Sequence, residues 1–238
     1  LQVTQNITVA KADQATLIAS VSSNSIPYGG TATLGSTGGT GTGVVTYASN
    51  NANCTISGTT LTAAAVGSCV ITATKAADTN YTVKTGTVNI SITPVAQAAL
   101  TATTTSSSIV YGSSATLGST GGSGTGAVTY VSSNGQCAIS GITLTAAGVG
   151  SCVITATKAA DSNYTAKTGT VNITTVQAAQ AGFMATITSS TIAYGGIAIL
   201  GSSGGSGTGA VTYASNNANC TISGISLTAA AVGSCVIT

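Results

Sequence analysis

The stretch Val66-Gly67-Ser68-Cys69-Val70-Ile71-Thr72-Ala73-Thr74 carries the pattern from which the rest of the chain can be read. Cys69, Ile71 and Ala73 fall on one face and Val70, Thr72 and Thr74 on the other, the period of two that marks a strand with one buried and one wet face. Downstream, Val88, Ile90 and Ile92 alternate with Asn89 and Ser91 in the same way. Thr and Val are enriched throughout, and Gly, Asn and Ser interrupt the runs, so antiparallel strands joined by turns are expected and helices are not. This reading places strands near residues 16–20, 30–35, 44–48, 54–57, 59–63, 68–75 and 86–92. Seven short strands predict a two-sheet sandwich.

The pattern recurs. Tyr28, Tyr111 and Tyr194 are spaced by 83 residues, as are Gln14, Gln97 and Gln180, and no insertion breaks the phase. Residues 28–72 and 194–238 differ at only seven positions. The expected organisation is a segment 1–13 equivalent to the last strand of a repeat, full repeats at 14–96 and 97–179, and an incomplete repeat at 180–238. A period of this length is domain-sized, so each unit is expected to fold around its own core, unlike the short repeats of solenoids. Residue 1 falls inside a strand-like pattern, so a signal peptide is expected upstream of it.

Six cysteines occur as Cys54 and Cys69, Cys137 and Cys152, and Cys220 and Cys235, each pair fifteen positions apart. Zinc sites need CxxC-like pairs or histidines, and the sequence has neither, so disulfides in an oxidising compartment are expected. If the fourth and fifth strands form a hairpin, both cysteines of a pair arrive at one end of the sandwich. Closing such a loop stabilises by about 3 kcal/mol in the chain-entropy model, a useful supplement to a core with one Phe and no Trp in the chain.

At this point the residues carry a resemblance. Val45-Thr46-Tyr47-Ala48-Ser49-Asn50, Thr55-Ile56-Ser57-Gly58, Leu61-Thr62-Ala63 and the run from Val66 to Thr74 resemble the bacterial Ig-like (Big) domains of large surface proteins. The likeness covers each whole repeat. The cysteine pair and the turn from Lys75 to Tyr81 depart from it. The resemblance implies all-β, tandem immunoglobulin-like β-sandwiches, here with one intra-repeat disulfide each, and a secreted stalk, adhesin or fibre module at the cell surface or outside the cell.

Composition excludes several functions. Five Lys and three Asp are the whole charge complement of 238 residues. Clustered cations that would displace counterions from nucleic acid are missing, and no apolar run is long enough to make a membrane-spanning helix. Catalysis by general acid and base needs titratable groups in mutual reach, and a calcium site needs several acidic oxygens; Asp13, Asp78 and Asp161 are scattered. The expectation is no enzyme, no cofactor and no metal.

Three motifs invite closer reading. Gly38-Gly39-Thr40-Gly41-Thr42-Gly43 resembles a phosphate loop in composition, but a strand follows it where such loops open a helix, so a connecting loop is expected. In the turn from Lys75 to Tyr81, Asp78 or Asn80 is expected to close an Asx turn while Tyr81 covers the core edge; an isopeptide bond from Lys75 would need an apposed Asn or Asp and a buried acid. Asn-x-Ser/Thr triplets at Asn6, Asn53, Asn80, Asn89, Asn163, Asn172 and Asn219 are candidate glycosylation sites, and sugars there would help to solubilise a surface so poor in charge.

Two further features point to self-association. Ile197 and Ile199 replace Thr31 and Thr33 on the outward face of a strand and form an apolar stripe expected to touch another chain or repeat. Ile7 and Val9 occupy the phases of Ile90 and Ile92, so residues 1–9 of one segment are expected to complete repeat three of the next, either as a strand donated in a head-to-tail polymer or as its covalent equivalent in a continuous chain. The function expected from all of this is an extracellular rod or fibre whose main partner is itself. The alternative is an adhesin stalk that binds a glycan or a host protein, and a third reading makes the repeats spacers for an enzyme elsewhere in a longer chain.

Overall fold

A computed structural model describes residues 2–238. Leu1, the first residue of the expected donor segment, lies outside the described residues. The chain divides into two compact units, Leu1–Val176 and Gln177–Thr238.

In the first unit, repeat one contributes β1 (Leu17–Val21), β2 (Ser25–Pro27), β3 (Thr31–Gly38), β4 (Val45–Ser49), β5 (Cys54–Ser57), β6 (Thr60–Ala63), β7 (Gly67–Lys75) and β8 (Lys84–Thr93). They form two four-stranded sheets, ordered β1-β3-β6-β5 and β2-β8-β7-β4. This is an immunoglobulin-like sandwich. After β9 (Val95–Ala96), repeat two follows with β10 (Leu100–Thr104), β11 (Ser108–Val110), β12 (Ser114–Gly121), β13 (Val128–Ser132), β14 (Cys137–Ser140), β15 (Thr143–Ala146), β16 (Gly150–Lys158), β17 (Tyr164–Thr165) and β18 (Lys167–Val176). Its sheets, β10-β12-β15-β14 and β11-β18-β16-β13, reproduce those of repeat one.

The repeat has one strand more than its hydrophobic pattern predicts. β2 holds only three residues, ends in Pro27, and pairs in parallel with β8 through Ser25↔Ser91 and Ile26↔Ile92. A strand that short has no periodicity to detect, and the partner that makes it a strand lies far along the chain.

Ile71 and Ala73 on β7, Ile90 and Ile92 on β8 and Leu61 and Ala63 on β6 are all buried, and the two sheets close over them. Gly86 on β8 permits a close approach, since a Cβ there would overlap the carbonyl of Leu17 on β1. In repeat two, Thr175 takes the place of Ile92 and is just as buried, with its hydroxyl donating to the Gly150 carbonyl at 3.1 Å. That bond removes most of the penalty of hiding a polar group.

Cys54 is bonded to Cys69, Cys137 to Cys152 and Cys220 to Cys235, with Cα atoms 6.1–6.2 Å apart. The first two bonds each join the two sheets of a sandwich, because β5 and β14 belong to one sheet and β7 and β16 to the other.

The second unit contains one complete sheet, ordered β19 (Phe183–Ile187), β20 (Ile197–Gly204), β22 (Ser226–Ala229) and β21 (Cys220–Ser223). Opposite it, Ala214 and Thr238 exchange backbone hydrogen bonds and Ser215 bridges Ile237, in the manner of β4 and β7. By the repeat phase, the counterpart of β8 would lie beyond Thr238, the last residue given. Cys235 and Ile237 are consequently half-exposed, whereas their counterparts Cys69 and Ile71 are buried.

Replacing Cys137 and Cys152 together by Ala is expected to lower the unfolding free energy of repeat two by about 3 kcal/mol. Denaturant titration followed by Tyr fluorescence would show it as a lowered midpoint.

Candidate functional site

In repeats one and two, one end of the sandwich is tied by a buried Gln side chain. Gln14 is almost completely buried; its Nε2 donates to the carbonyls of Ala76 at 3.1 Å and Thr82 at 2.7 Å, and its Oε1 accepts from the Gly41 amide at 3.2 Å. Gln97 does the same work in repeat two, with Ala159 and Gly124 as partners. Gly43 lets the glycine-rich loop reach this site, because a Cβ there would overlap the Ala76 carbonyl.

Asp78 locks the loop from the other side. Its Oδ2 accepts from the Thr42 amide at 2.6 Å and the Thr42 hydroxyl at 3.2 Å, and its Oδ1 accepts from the amides of Asn80 and Tyr81 at 2.9 and 2.8 Å. The amide bond from Thr42 is the strongest influence on this carboxyl and that from Asn80 the next; together they lower its pKa to about 2. Asp161 is held low in the same way, first by the Thr125 amide. The Gly41 and Thr42 amides, which a phosphate would need, are thus committed to the chain's own Gln14 and Asp78. Lys75 donates to the Gly39 carbonyl at 3.3 Å.

The Asp161 turn also builds a joint between repeats one and two. Its Oδ1 accepts from the amides of Asn163 and Tyr164, presenting both side chains toward repeat one. The Asn163 Oδ1 accepts the Val66 amide of repeat one at 3.1 Å. Tyr164 meets Tyr28 edge to face, with ring centroids 5.5 Å apart and planes at 77°, a contact of about 0.5–1.5 kcal/mol beyond its buried area. β9, which leads into repeat two, pairs in parallel with β17, and the Val95 amide donates to the Asn163 carbonyl at 3.1 Å. Linker and turn are therefore one hydrogen-bonded piece. Tyr28 and Val66 are half-buried there, whereas their equivalents in repeat two, Tyr111 and Val149, are 54% and 51% exposed.

In the sequence, Gln14, Gln97 and Tyr28 stand out only as markers of the repeat. The joint pair Asn163 and Tyr164 lies inside a turn that was read for its Asx geometry and for Tyr81 at the core edge. A usable signal was present all the same, since both the turn and Tyr28 recur in phase in repeat two.

The residues expected to mediate assembly are all at the surface. Ile7 and Val9 are exposed and outside any strand. Ile197 and Ile199 lie on β20 and are 65% and 44% exposed. In the second unit, a groove of about 600 Å³ lies between β19, β20 and residues 232–237, lined by Ile187, Tyr194, Leu200, Leu227 and Ile237. Of the triplet asparagines, Asn6, Asn80, Asn89 and Asn172 are exposed. Asn53 and Asn219 use their Nδ2, the atom to which a sugar would be attached, to donate to the carbonyls of Ser68 and Ser234 at 3.2 Å. Among the described residues no group of three or more His, Cys, Asp or Glu side chains is placed to hold a metal, and no helix is long and apolar enough to cross a membrane.

Neither a protein-family model nor a curated protein matches the chain. Several solved structures are similar to it. Fibronectin(III)-like modules of Clostridium thermocellum CbhA align over 67% of this chain and 95% of theirs at 16% identity, with a TM-score of 0.27. Drosophila N-cadherin EC1-4 aligns over 68% of this chain and 50% of its own at 14% identity and a TM-score of 0.32. Domains 1-6 of surface layer protein SbsC align over 96% of this chain and 37% of theirs at 18% identity and a TM-score of 0.28.

The Asp78 carboxylate gives the clasp a pH dependence of defined sign. Its folded pKa lies below the ordinary value of 3.8, so its contribution is complete above that value and is lost as pH falls toward about 2. Acidification across this window is expected to lower the protection of the Thr42 amide, measured as its exchange rate relative to the intrinsic rate at each pH. Asp78→Asn should show reduced protection at that amide already at neutral pH.

Proposed function

We propose that the chain is an extracellular structural or adhesive element, a stiff run of Ig-like repeats of the bacterial (Big) type, with the repeat boundaries at 14–96, 97–179 and 180–238. The observation that carries this reading is the joint between repeats one and two. A flexible tether would leave its linker free, whereas here β9 is paired and Asn163 and Tyr164 reach across to the neighbouring sandwich. A disulfide in each repeat supports an oxidising location. Sugars on the exposed Asn6, Asn80, Asn89 and Asn172 would add to solubility; an intact mass equal to the bare chain less its disulfide hydrogens would dismiss them.

The finer part of the proposal is head-to-tail assembly, of separate copies or as its covalent equivalent in a continuous chain. For separate copies, residues 4–9 of one enter the groove of the second unit in another and stand where β8 stands in repeat one. Ile7 and Val9 then take the places of the buried Ile90 and Ile92, and the main chain pairs with residues 233–238. The register has one poor fit. Val3 falls at the phase of Gly86, where a side chain meets the neighbouring strand, so pairing begins at residue 4. The stripe of Ile197 and Ile199 is assigned to contact between copies in the same assembly.

The stiff joint is tested by nitrogen-15 relaxation on the whole chain. Repeats one and two are expected to tumble with matching correlation times, and Asn163→Ala with Tyr164→Ala should separate them. Unequal times in the native chain would remove the stiff reading.

Assembly is tested by sedimentation across a concentration series. Ile7→Lys with Val9→Lys is expected to leave only monomer, and Val3→Gly should tighten association. A native chain that stays monomeric throughout would refute the polymer while leaving the spacer role intact.

A further inference from the structure

Three turns of the chain hold an Asn in the same way and differ in the residue that follows it. Ahead of the first cysteine of each repeat stand Asn51-Ala52-Asn53, Asn134-Gly135-Gln136 and Asn217-Ala218-Asn219. The leading Asn makes the same bonds each time. Its Oδ1 accepts from the amide two residues on, that of Asn53 at 3.0 Å, Gln136 at 3.1 Å and Asn219 at 3.0 Å. Its Nδ2 donates to the carbonyl of Ser68, Ser151 or Ser234 at 2.9 Å. Asn134-Gly135 is the one Asn-Gly step in the sequence.

Asn134 and Gly135 are exposed, and among the described residues no acceptor takes the Gly135 amide. Asn51 and Ala52 are exposed as well, although Asn163 and Tyr164 dock on repeat one, so exposure belongs to the turn itself. A Cβ on Gly135 would meet nothing within 4 Å, so its surroundings are open. Glycine also lacks the Cβ that hinders attack by its own amide nitrogen on the preceding side chain. The Gln136 amide lies against Asn134 Oδ1, where negative charge develops when Cγ is attacked. That donor is shared by all three turns, and the glycine is not.

We infer that Asn134 is a site of spontaneous succinimide formation, which converts it in the folded chain while Asn51 and Asn217 persist. The Gly135 amide gives its proton to hydroxide, and its nitrogen bonds Asn134 Cγ. The side-chain nitrogen takes a proton from water and leaves as ammonia, which returns the hydroxide and closes the ring. Water then opens the ring at Cγ, leaving aspartate, or at the backbone carbonyl, leaving isoaspartate with one more carbon in the main chain. Either product replaces the donor to the Ser151 carbonyl by a carboxylate, in a chain with only eight charged side chains. The bond from Asn134 is then lost and the two oxygens repel. Gln136 follows directly, and its carbonyl holds the amides of Ala147 and Gly148 at 2.8 and 3.2 Å. The conversion therefore loosens the run before β16 in repeat two alone. This inference is independent of the assembly proposed above.

The test incubates the whole oxidised chain at mildly alkaline pH and follows each turn by peptide mapping, with isoaspartate scored by an isoaspartyl methyltransferase. Aspartate and isoaspartate are expected at position 134 at least about tenfold faster than at Asn51 or Asn217 in the same molecules, with a rate that rises with pH. Gly135→Ala is expected to bring position 134 down to the rate of Asn51; Ala52 and Ala218 show that the turn accepts alanine. A position 134 as slow as Asn51 in the native chain, while the reduced and unfolded chain converts, would show that the fold withholds the site and would overturn the inference. Equal rates at all three turns would overturn the role of Gly135. In the converted protein, amide exchange at Ala147 and Gly148 is expected to lose protection while Ala64 and Ala65 keep theirs. Unchanged protection there would overturn the loosening and leave the modification standing.

Discussion

The pairing of β7 with β8 is the contact on which the other features of a repeat depend. Its register runs from Gly67↔Ile92 to Lys75↔Lys84, and it brings the last residues of the repeat back into the centre of a sheet. β8 supplies Ile90 and Ile92 to the core, holds β2 on its far edge, and ends at Thr93, whose carbonyl fixes Tyr28 at the joint. Burial of Cys69 and Ile71 follows from it, as the half-exposed Cys235 and Ile237 of the second unit show by contrast. A central strand supplied by the end of a repeat means that each sandwich closes only when the last residues of its repeat are in place.

The second constraint is scarcity of charge. With eight charged side chains, the chain cannot rely on ion pairs, and its ends are held by buried amides and by one carboxylate per clasp that accepts backbone hydrogen bonds. A buried Gln satisfies the loop carbonyls that two facing segments would otherwise leave unpaired, at no cost in buried charge. The neutral hydrogen bonds of the clasp are of a kind that salt screening barely touches, since screening weakens interactions between exposed charges.

The joint shows how a polar turn inside one repeat acquires a role between repeats. Asp161 shapes the turn locally, and the same shape points Asn163 outward to the Val66 amide. Linker pairing through β9 and β17 then removes the freedom that a connection of a few residues would otherwise have. The contacts that join the two sandwiches are hydrogen-bonded backbone, one side-chain amide bond to the backbone and one aromatic pair.

Much of this was legible in the residues alone. Alternation at Cys69, Ile71 and Ala73 and at Val88, Ile90 and Ile92 marked the strands and their inward faces, because strand side chains alternate whatever the partner is. Phase identity over 83 residues marked the repeats, and the fifteen-residue cysteine spacing pointed to a pair within each. Even the Asx turn at Asp78 was readable, since its bonds reach only two and three residues along the chain. What only the tertiary structure decided involves residues far apart in sequence. β2 is a strand because β8 lies beside it, Gln14 is buried because the Ala76 turn and the glycine-rich loop close on it, and Asn163 is a joint residue because Val66 of the preceding repeat presents its amide. No local pattern encodes those partners. They follow from the packing of whole sandwiches, whose geometry fixes which free donors and acceptors come within reach of one another.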